Sequence, residues 1–176
     1  MRLKILRMSI ITLLSTTFCF LISTESCAER YKTYSTVSMI IERKNNGKTE
    51  ILLQKRKNTG WMDGFWELAA CGHVEEGETS KQAAIRETKE ELCLDVKEDD
   101  LEFVGLNHNN IDGKGTYYCM YFKIKNFIGI PTIGEPEKCE EIKWFPINNL
   151  PQDLIPIRKT AIENYLHNIF YCEIDW

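Results

Sequence analysis

Four glutamates and one arginine recur at a fixed spacing that begins at a glycine of this 176-residue chain. The run consists of Gly72, Glu78, Arg86, Glu87, Glu90 and Glu91. Such a concentration of carboxylates costs free energy unless a positive group neutralises it. Magnesium prefers oxygen ligands, typically one or two carboxylates together with water and phosphate oxygens. The run therefore predicts a magnesium site that can hold a diphosphate.

A helix is predicted to carry the second half of this run. Thr79 and Gln82 fit the Ser/Thr-x-x-Glu/Gln capping box, which places the start of the helix at Thr79. Glu87 and Glu91 are then one turn apart, with Glu90 at the adjacent position, so all three carboxylates project from one side.

The loop before the helix is predicted to approach the ligand closely. Gly72 and Gly77 bracket a tight turn in which backbone groups can reach a ligand or metal without side-chain obstruction. Glu78 lies at the helix entrance, where the helix dipole favours a negative charge. Arg86, two turns further along, can reach back to Glu78 and tie the loop to the helix.

At these positions the chain resembles the Nudix hydrolase family, whose signature is G-x5-E-x7-R-E-U-x-E-E-x-G-U, with U an apolar residue. The matching positions are Gly72, Glu78, Arg86, Glu87, Glu90, Glu91 and Leu94. Two positions depart from the signature. Thr88 replaces an aliphatic residue, and its methyl group can still pack. Cys93 replaces a glycine that would adopt a left-handed cap, so we expect a locally altered helix end and no lost ligand.

The resemblance implies a metal-dependent hydrolysis of a nucleoside diphosphate linked to another group, X. The implied cation is Mg²⁺, with Mn²⁺ as an alternative. Its implied ligands are Glu87, Glu90, Glu91 and the Gly72 carbonyl, and the implied organising pair is Glu78 and Arg86. The base that deprotonates the attacking water is expected to be Glu90 or Glu91, with Glu140 and Glu141 as rivals.

Substrate contacts are predicted outside this run. Arg56 either binds a phosphate bidentately or is a solvated arginine at a strand end. Among the tryptophans Trp61, Trp66 and Trp144 are candidates for stacking on a base. Asn148 or Asn149 either reads a base edge or forms a plain turn before Pro151.

Several activities are compatible with the resemblance. No proline occurs between Val96 and Ile130, unlike in ADP-ribose-cleaving members. The expected activity is therefore that of a MutT-like nucleoside triphosphate pyrophosphohydrolase, which can include oxidised purine nucleotides as substrates. The alternatives are a pyrophosphatase for ADP-ribose or another nucleotide sugar, and a module that binds nucleotides without cleaving them. A diphosphate isomerase would need an active cysteine, for which Cys71 is the candidate.

Composition and the N-terminus limit partners and location. A formal net charge of −4 argues against nonspecific binding to a nucleic acid polymer. Residues 1–28 have the layout of a signal peptide, with basic residues before an apolar stretch, or form an N-terminal extension. An odd number of cysteines follows, which suits a reducing compartment better. Export and the cytosol both stay open; we expect a monomer or homodimer with no stable membrane association after cleavage.

The fold is predicted as an α/β/α sandwich with a mixed sheet, the Nudix fold, over residues 34–172. The predicted strands are Thr36–Glu42, Glu50–Arg56, Gly64–Leu68, Leu101–Asn107, Thr116–Lys125 and Glu141–Phe145. The residues from Asn45 to Lys48 are predicted to form a hairpin turn. Besides the acidic helix, a terminal helix is predicted over Ile157–Tyr171.

Overall fold

A mixed eight-stranded sheet with one helix on each face organises the computed structural model, which describes residues 31–111 and 113–176. The strands are β1 (Tyr34–Asn45), β2 (Lys48–Arg56), β3 (Trp66–Leu68), β4 (Cys71–His73), β5 (Leu101–Ile111), β6 (Gly115–Ile124), β7 (Cys139–Pro146) and β8 (Tyr171–Ile174). The helices are α1 (Ser80–Leu92) and α2 (Pro156–Leu166). The main path of the sheet runs β3-β2-β1-β6-β5-β8, with β4 paired to β1 and β7 paired to β2. The predicted α/β/α sandwich is confirmed.

Strand β1 lies at the centre of the sheet because its apolar run packs on both faces. It pairs in parallel with β6 and antiparallel with β2 and β4. Val37, Met39 and Ile41 face the core under α1, whereas Ile40 faces the core under α2. A continuous apolar run is typical of a strand that is buried on both sides.

The hairpin between β1 and β2 agrees with its prediction. Asn45 pairs with Lys48, so the turn consists of Asn46 and Gly47. Both turn residues have positive φ, 49° and 77°, as a two-residue type I′ turn requires.

Two short strands were not expected, and the terminal helix is shorter than predicted. Gly72 lies within β4, paired with Val37, and not in a turn. Helix α2 ends at Leu166, and Asn168 has a φ of 54°, which a helix cannot continue through. The chain then pairs Tyr171–Ile174 with β5 in parallel.

The described residues bear on membrane crossing but not on export. Among the described residues, no helix is long and apolar enough to cross a membrane. The predicted signal peptide or extension over residues 1–28 lies outside the described residues.

Candidate functional site

Helix α1 begins as its sequence predicts. The Thr79 hydroxyl accepts a hydrogen bond from the Gln82 amide at 3.2 Å, and the Gln82 side chain accepts one from the Thr79 amide at 2.8 Å. Thr88 is buried and donates its hydroxyl to the Ala84 carbonyl at 2.7 Å, so its polar atom is satisfied within the core. The helix therefore tolerates threonine at this position and keeps its buried face against the sheet.

The expectation of an altered helix end is wrong. Cys93 adopts the left-handed cap itself, with φ 57° and ψ 25°, and its amide donates to the Lys89 carbonyl at 3.0 Å. The following residue, Leu94, is fully buried. The carbonyl of Leu92 accepts from Thr132 at 3.1 Å. Because Leu94 must enter the core, the packing imposes the cap conformation despite the cost of a β-carbon there.

Gly72 and Glu87 approach each other more closely than any side chain at position 72 would allow. A β-carbon at that position would overlap the Glu87 carboxylate. Strand β4 holds Gly72 in register with Val37 on the central strand, and α1 brings Glu87 to it. The backbone of β4 and the carboxylates of α1 are thereby brought to one place.

Arg86 connects the loop to the helix, as predicted, through a fork of hydrogen bonds. Its Nη2 and Nε atoms lie 2.7 and 3.1 Å from the two oxygens of Glu78. Its Nη1 atom donates to Glu87 at 2.7 Å and to Glu90 at 3.1 Å, and Nη2 also donates to the His73 carbonyl at 3.0 Å. The Arg86 guanidinium holds the pKa of Glu78 below its ordinary value.

Glu91 is partly buried at the cavity wall and is oriented by two donors. Its Oε2 atom accepts from the Cys71 amide and from the Gln54 side chain, both at 2.9 Å. Burial, with a further contribution from the Glu67 charge, raises the pKa of Glu91 to about 8. Burial also raises the pKa of Glu87. Both carboxyl groups would therefore gain from a nearby cation that favours their charged forms.

These groups line a cavity of about 490 Å³. Its lining contains six glutamates, Glu67, Glu75, Glu87, Glu90, Glu91 and Glu135, against the three cationic side chains of Arg56, Arg86 and Lys138. In the described part of the chain, no three His, Cys, Asp or Glu residues form a preassembled metal cluster. Arg86 binds Glu87 and Glu90, while Gln54 binds Glu91. The donor set still fits Mg²⁺, because it consists of hard oxygen atoms beside a glycine that leaves room for them.

Two predicted substrate residues lie elsewhere. Trp144 is on β7, where it pairs with Leu52 of β2. Its ring packs beneath the Arg43 guanidinium, whose carbon is 4.4 Å from the ring centre. Asn148 follows β7 and lines a separate surface cavity beside α2. The predictions that these two residues bind substrate are therefore not supported by their positions. The rival bases Glu140 and Glu141 are also absent from the lining of the 490 Å³ cavity.

Arg56 lines the cavity and is not the solvated strand-end arginine that was the alternative to a phosphate-binding one. Its guanidinium forms an ion pair with Glu67 and donates to the Thr59 hydroxyl at 2.7 Å. Its Nε atom donates to the Trp61 carbonyl at 2.8 Å. It is thus held in place at the cavity wall, whereas a solvated strand-end side chain would be free to move.

Two charged residues escaped the sequence prediction, Glu67 and Arg158. Glu67 is 1% exposed and Arg158 is 7% exposed, and their closest side-chain atoms are 3.5 Å apart. Two hydrogen bonds join β3 to the start of α2: Trp66 donates to the Asp153 carbonyl, and Ile155 donates to the Trp66 carbonyl. The signal that could have revealed the pair is a glutamate between Trp66 and Leu68, because a carboxylate in an apolar strand needs a cationic partner.

Cys71 does not have the properties of an active thiol. Its Sγ atom donates to the Leu68 carbonyl at 3.1 Å. Burial raises the pKa of the thiol well above its ordinary value, so the reactive thiolate is disfavoured. This counts against a diphosphate isomerase that depends on this cysteine.

Comparison with known sequences identifies the family. Residues 32–165 match the sequence profile described as NUDIX domain. The chain belongs to the Nudix family. The profile covers β1 to α2, including the whole 490 Å³ cavity.

Individual Nudix proteins agree with this assignment. An uncharacterized Nudix hydrolase of Listeria innocua is 47% identical over 53 residues, which span 29% of this chain and 31% of that protein. The ADP-ribose pyrophosphatase of Methanocaldococcus jannaschii is 35% identical over 116 residues, 66% of this chain and 63% of that protein. The crystal structure of a MutT Nudix hydrolase from Burkholderia pseudomallei has a TM-score of 0.65 at 27% identity, covering 76% of this chain and 98% of that one. The chain thus aligns with less than a third of the Listeria protein.

Proposed function

We propose that the protein is a Mg²⁺-dependent pyrophosphohydrolase that cleaves a nucleoside diphosphate linked to a group X. The observation that carries this proposal is the convergence of Glu87, Glu90, Glu91 and Gly72 on one cavity. Family membership supports it, since Nudix hydrolases generally use divalent metals. Mg²⁺ would be held by the three carboxylates and the Gly72 carbonyl, with Mn²⁺ as the alternative cation.

The bound cation would neutralise charge on the phosphate oxygens and polarise the phosphorus. The chain's own residues would position the reactants. Glu91 is fixed by Cys71 and Gln54, so it suits the role of a rigid ligand. Arg56 and Lys138 line the same cavity and can donate to phosphate oxygens. Such positioning and charge stabilisation account for most of the catalysis in phosphoryl transfer.

We assign the proton-accepting role to Glu90. Its side chain is 49% exposed, so solvent water reaches it directly, whereas Glu91 is partly buried and one of its oxygens already accepts two hydrogen bonds. As a water oxygen forms its bond to phosphorus, the proton passes to Glu90 and the bridging phosphorus–oxygen bond breaks. Arg86 binds Glu78, Glu87 and Glu90 and keeps this group of carboxylates in register.

The substrate that we place first is a nucleoside triphosphate, cleaved in the manner of MutT, with oxidised purine nucleotides included. Similarity to the MutT Nudix hydrolase of Burkholderia pseudomallei over most of both chains supports this choice. The similarity to an ADP-ribose pyrophosphatase favours the alternative of ADP-ribose or another nucleotide sugar. The expected partner is a small nucleotide and not a nucleic acid polymer, with the protein acting as a monomer or homodimer.

A substrate panel tests the proposal. The full-length chain is incubated with nucleoside triphosphates, ADP-ribose and dinucleoside polyphosphates, with Mg²⁺ or with EDTA, and the products are separated by chromatography. We expect cleavage of at least one nucleotide that depends on Mg²⁺. Absence of cleavage in a protein that still binds Mg²⁺ by calorimetry would instead support a nucleotide-binding module.

A further inference from the structure

A second cavity of about 290 Å³ adjoins the carboxylate cavity. The two cavities share six wall residues, Arg56, Thr59, Glu67, Cys71, Gly72 and His73. The second cavity also includes the aromatic side chains of Trp61 and Tyr117 and the guanidinium of Arg158. A substrate that places its diphosphate in the first cavity can extend across the shared wall into the second.

The second cavity is basic where the first is acidic. Its lining has three cationic side chains, Arg56, Lys114 and Arg158, and one carboxylate, Glu67. Arg56 and Arg158 both bind that single carboxylate. The cavity therefore favours hydrogen-bond acceptors or negative charge on whatever enters it.

The donors of Arg158 are poorly satisfied within the protein. Its Nη2 atom is 3.5 Å from Glu67, and its Nη1 atom donates to the Tyr121 hydroxyl at 3.4 Å. Its Nε–H group is buried and finds no hydrogen-bond acceptor among the described residues. The guanidinium lines the second cavity and its two bonds are at the upper limit of hydrogen-bond length, so an acceptor on a ligand would meet donors that the protein itself satisfies poorly.

We propose that the second cavity binds the heterocycle of the substrate and that Arg158 makes the enzyme select a ring with an exocyclic oxo group over the analogue with an amino group at the same position. This inference rests on the proposed function, because it assumes that the diphosphate occupies the first cavity. The aromatic faces of Trp61 and Tyr117 suit a planar ring. A carbonyl oxygen accepts a hydrogen bond from the guanidinium, whereas an exocyclic amino group would oppose one donor with another.

Inosine triphosphate and adenosine triphosphate form the matched substrate pair, because their bases differ only in the oxo or amino group at position 6 and in the protonation of the adjacent ring nitrogen. Uridine and cytidine triphosphates form a second pair. We expect kcat/KM to be at least about tenfold higher for the oxo member of each pair, since sites with a buried donor discriminate against substrates that leave it unpaired. Equal values, or higher values for the amino members, would overturn the inference while leaving the proposed function intact.

Binding provides a readout that does not depend on hydrolysis. Inosine and adenosine monophosphates are titrated into the protein in EDTA, and their dissociation constants are measured by calorimetry. Tighter binding of inosine monophosphate supports the inference even if no triphosphate is cleaved, in which case only the proposed function fails. Equal affinity, or no binding of either nucleotide, counts against Arg158 as the selecting residue.

Variants separate selection from structural support. In Arg158→Lys the side chain keeps its charge but loses the guanidinium donors, so we expect the ratio of oxo to amino kcat/KM to fall toward one. The control is Lys159→Gln, which removes a neighbouring exposed cation and should keep the wild-type ratio. A merely structural Arg158 would lower both kcat/KM values equally and leave the ratio unchanged. If Arg158→Lys fails to fold, the inference is decided by the wild-type protein, from its ratio of kcat/KM for the triphosphates and its ratio of dissociation constants for the monophosphates.

Discussion

The carboxylate of Glu87 lies where the β-carbon of any other residue at position 72 would be. The contact joins β4, which is paired to the central strand, to the helix that carries the three glutamates. It gives a physical reason for glycine at the start of the acidic run. The reason is proximity to the helix, because Gly72 lies in a strand and needs no unusual backbone conformation.

Replacement of Gly72 by alanine is expected to displace Glu87 from its position. The obstructing atoms belong to the end of a flexible side chain, so the fold should survive while the oxygen ligands lose their arrangement. We expect Mg²⁺ affinity to fall by about tenfold or more, a loss typical of disturbed metal sites. Calorimetric titration with Mg²⁺ and Mn²⁺ measures this change.

Gly47→Ala is the matched control for that substitution. Gly47 has open space around a β-carbon but a φ of 77°, so alanine strains the hairpin turn without approaching the site. It should lower stability and leave metal affinity at the wild-type value. Equal metal affinity in Gly72→Ala and Gly47→Ala would remove the role assigned to the contact between Gly72 and Glu87.

Glu90→Gln and Glu91→Gln are expected to lose activity for different reasons. Glutamine at 91 can still accept from the Cys71 amide, so the fold should persist, but the negative charge of a proposed Mg²⁺ ligand is lost. We expect Glu91→Gln to weaken Mg²⁺ binding and largely abolish turnover. Glu90→Gln should lower kcat by about 100-fold or more, as loss of a general base does, and should weaken Mg²⁺ binding less than Glu91→Gln because Glu90 is the more exposed of the two proposed ligands. Steady-state kinetics at several Mg²⁺ concentrations distinguish the two patterns, and the reverse pattern would exchange the two roles.

Stability of the metal-free protein should decline as pH rises from about 4.5 to 8. The pKa of Glu91 is near 4.5 when unfolded and about 8 when folded, so the folded state binds more protons across this interval. The free energy of unfolding should therefore fall by about 1 kcal/mol per pH unit there and level off above pH 8. Urea denaturation in EDTA at a series of pH values measures the slope.

Glu91→Gln should flatten that slope, and Glu102→Gln is the control because it removes an exposed carboxylate from β5. Added Mg²⁺ should restore stability at the alkaline end by favouring the charged carboxylate. A wild-type slope that Glu91→Gln leaves unaltered would show that this carboxyl is not responsible.

Cys93→Gly should stabilise the protein. Cys93 holds a left-handed conformation, which costs a side-chain-bearing residue about 1–2 kcal/mol and costs glycine little. Part of this gain is offset by the greater freedom of glycine in the unfolded chain, so we expect about 0.5–1 kcal/mol. Thermal unfolding measures the gain, and Cys93→Ala, which keeps the β-carbon, should show none. If the glycine variant is no more stable than the alanine variant, the left-handed conformation of Cys93 does not strain the protein.

Sequence patterns predicted best those elements whose residues interact locally. The capping box at Thr79, the turn at Asn46 and Gly47, and the link from Arg86 to Glu78 depend on fixed short spacings, and all three are present. An altered helix end was wrongly predicted at Cys93, because the intrinsic preference of cysteine opposes the left-handed cap that the structure contains. The burial of Leu94, which a local pattern does not show, overrides that preference.

Long-range partnerships account for most of what was missed. Glu67 and Arg158 are 91 residues apart in sequence and meet only when β3 packs against the start of α2. Trp144 was predicted to stack on a base from its residue type alone, but it pairs with Leu52 and packs beneath Arg43. Strands β4 and β8 have three and four residues, too few for a periodic pattern to develop.

The pairing of β4 with β1 has a consequence for how activity should be lost. Gly72 is hydrogen-bonded into the strand that contains the fully buried run from Val37 to Ile41. The backbone proposed to bind the cation is therefore tied to a fully buried stretch of β1 and should not loosen while that stretch stays folded. Its amide protons should exchange with solvent only through global opening, and heat should abolish activity and fold in a single transition.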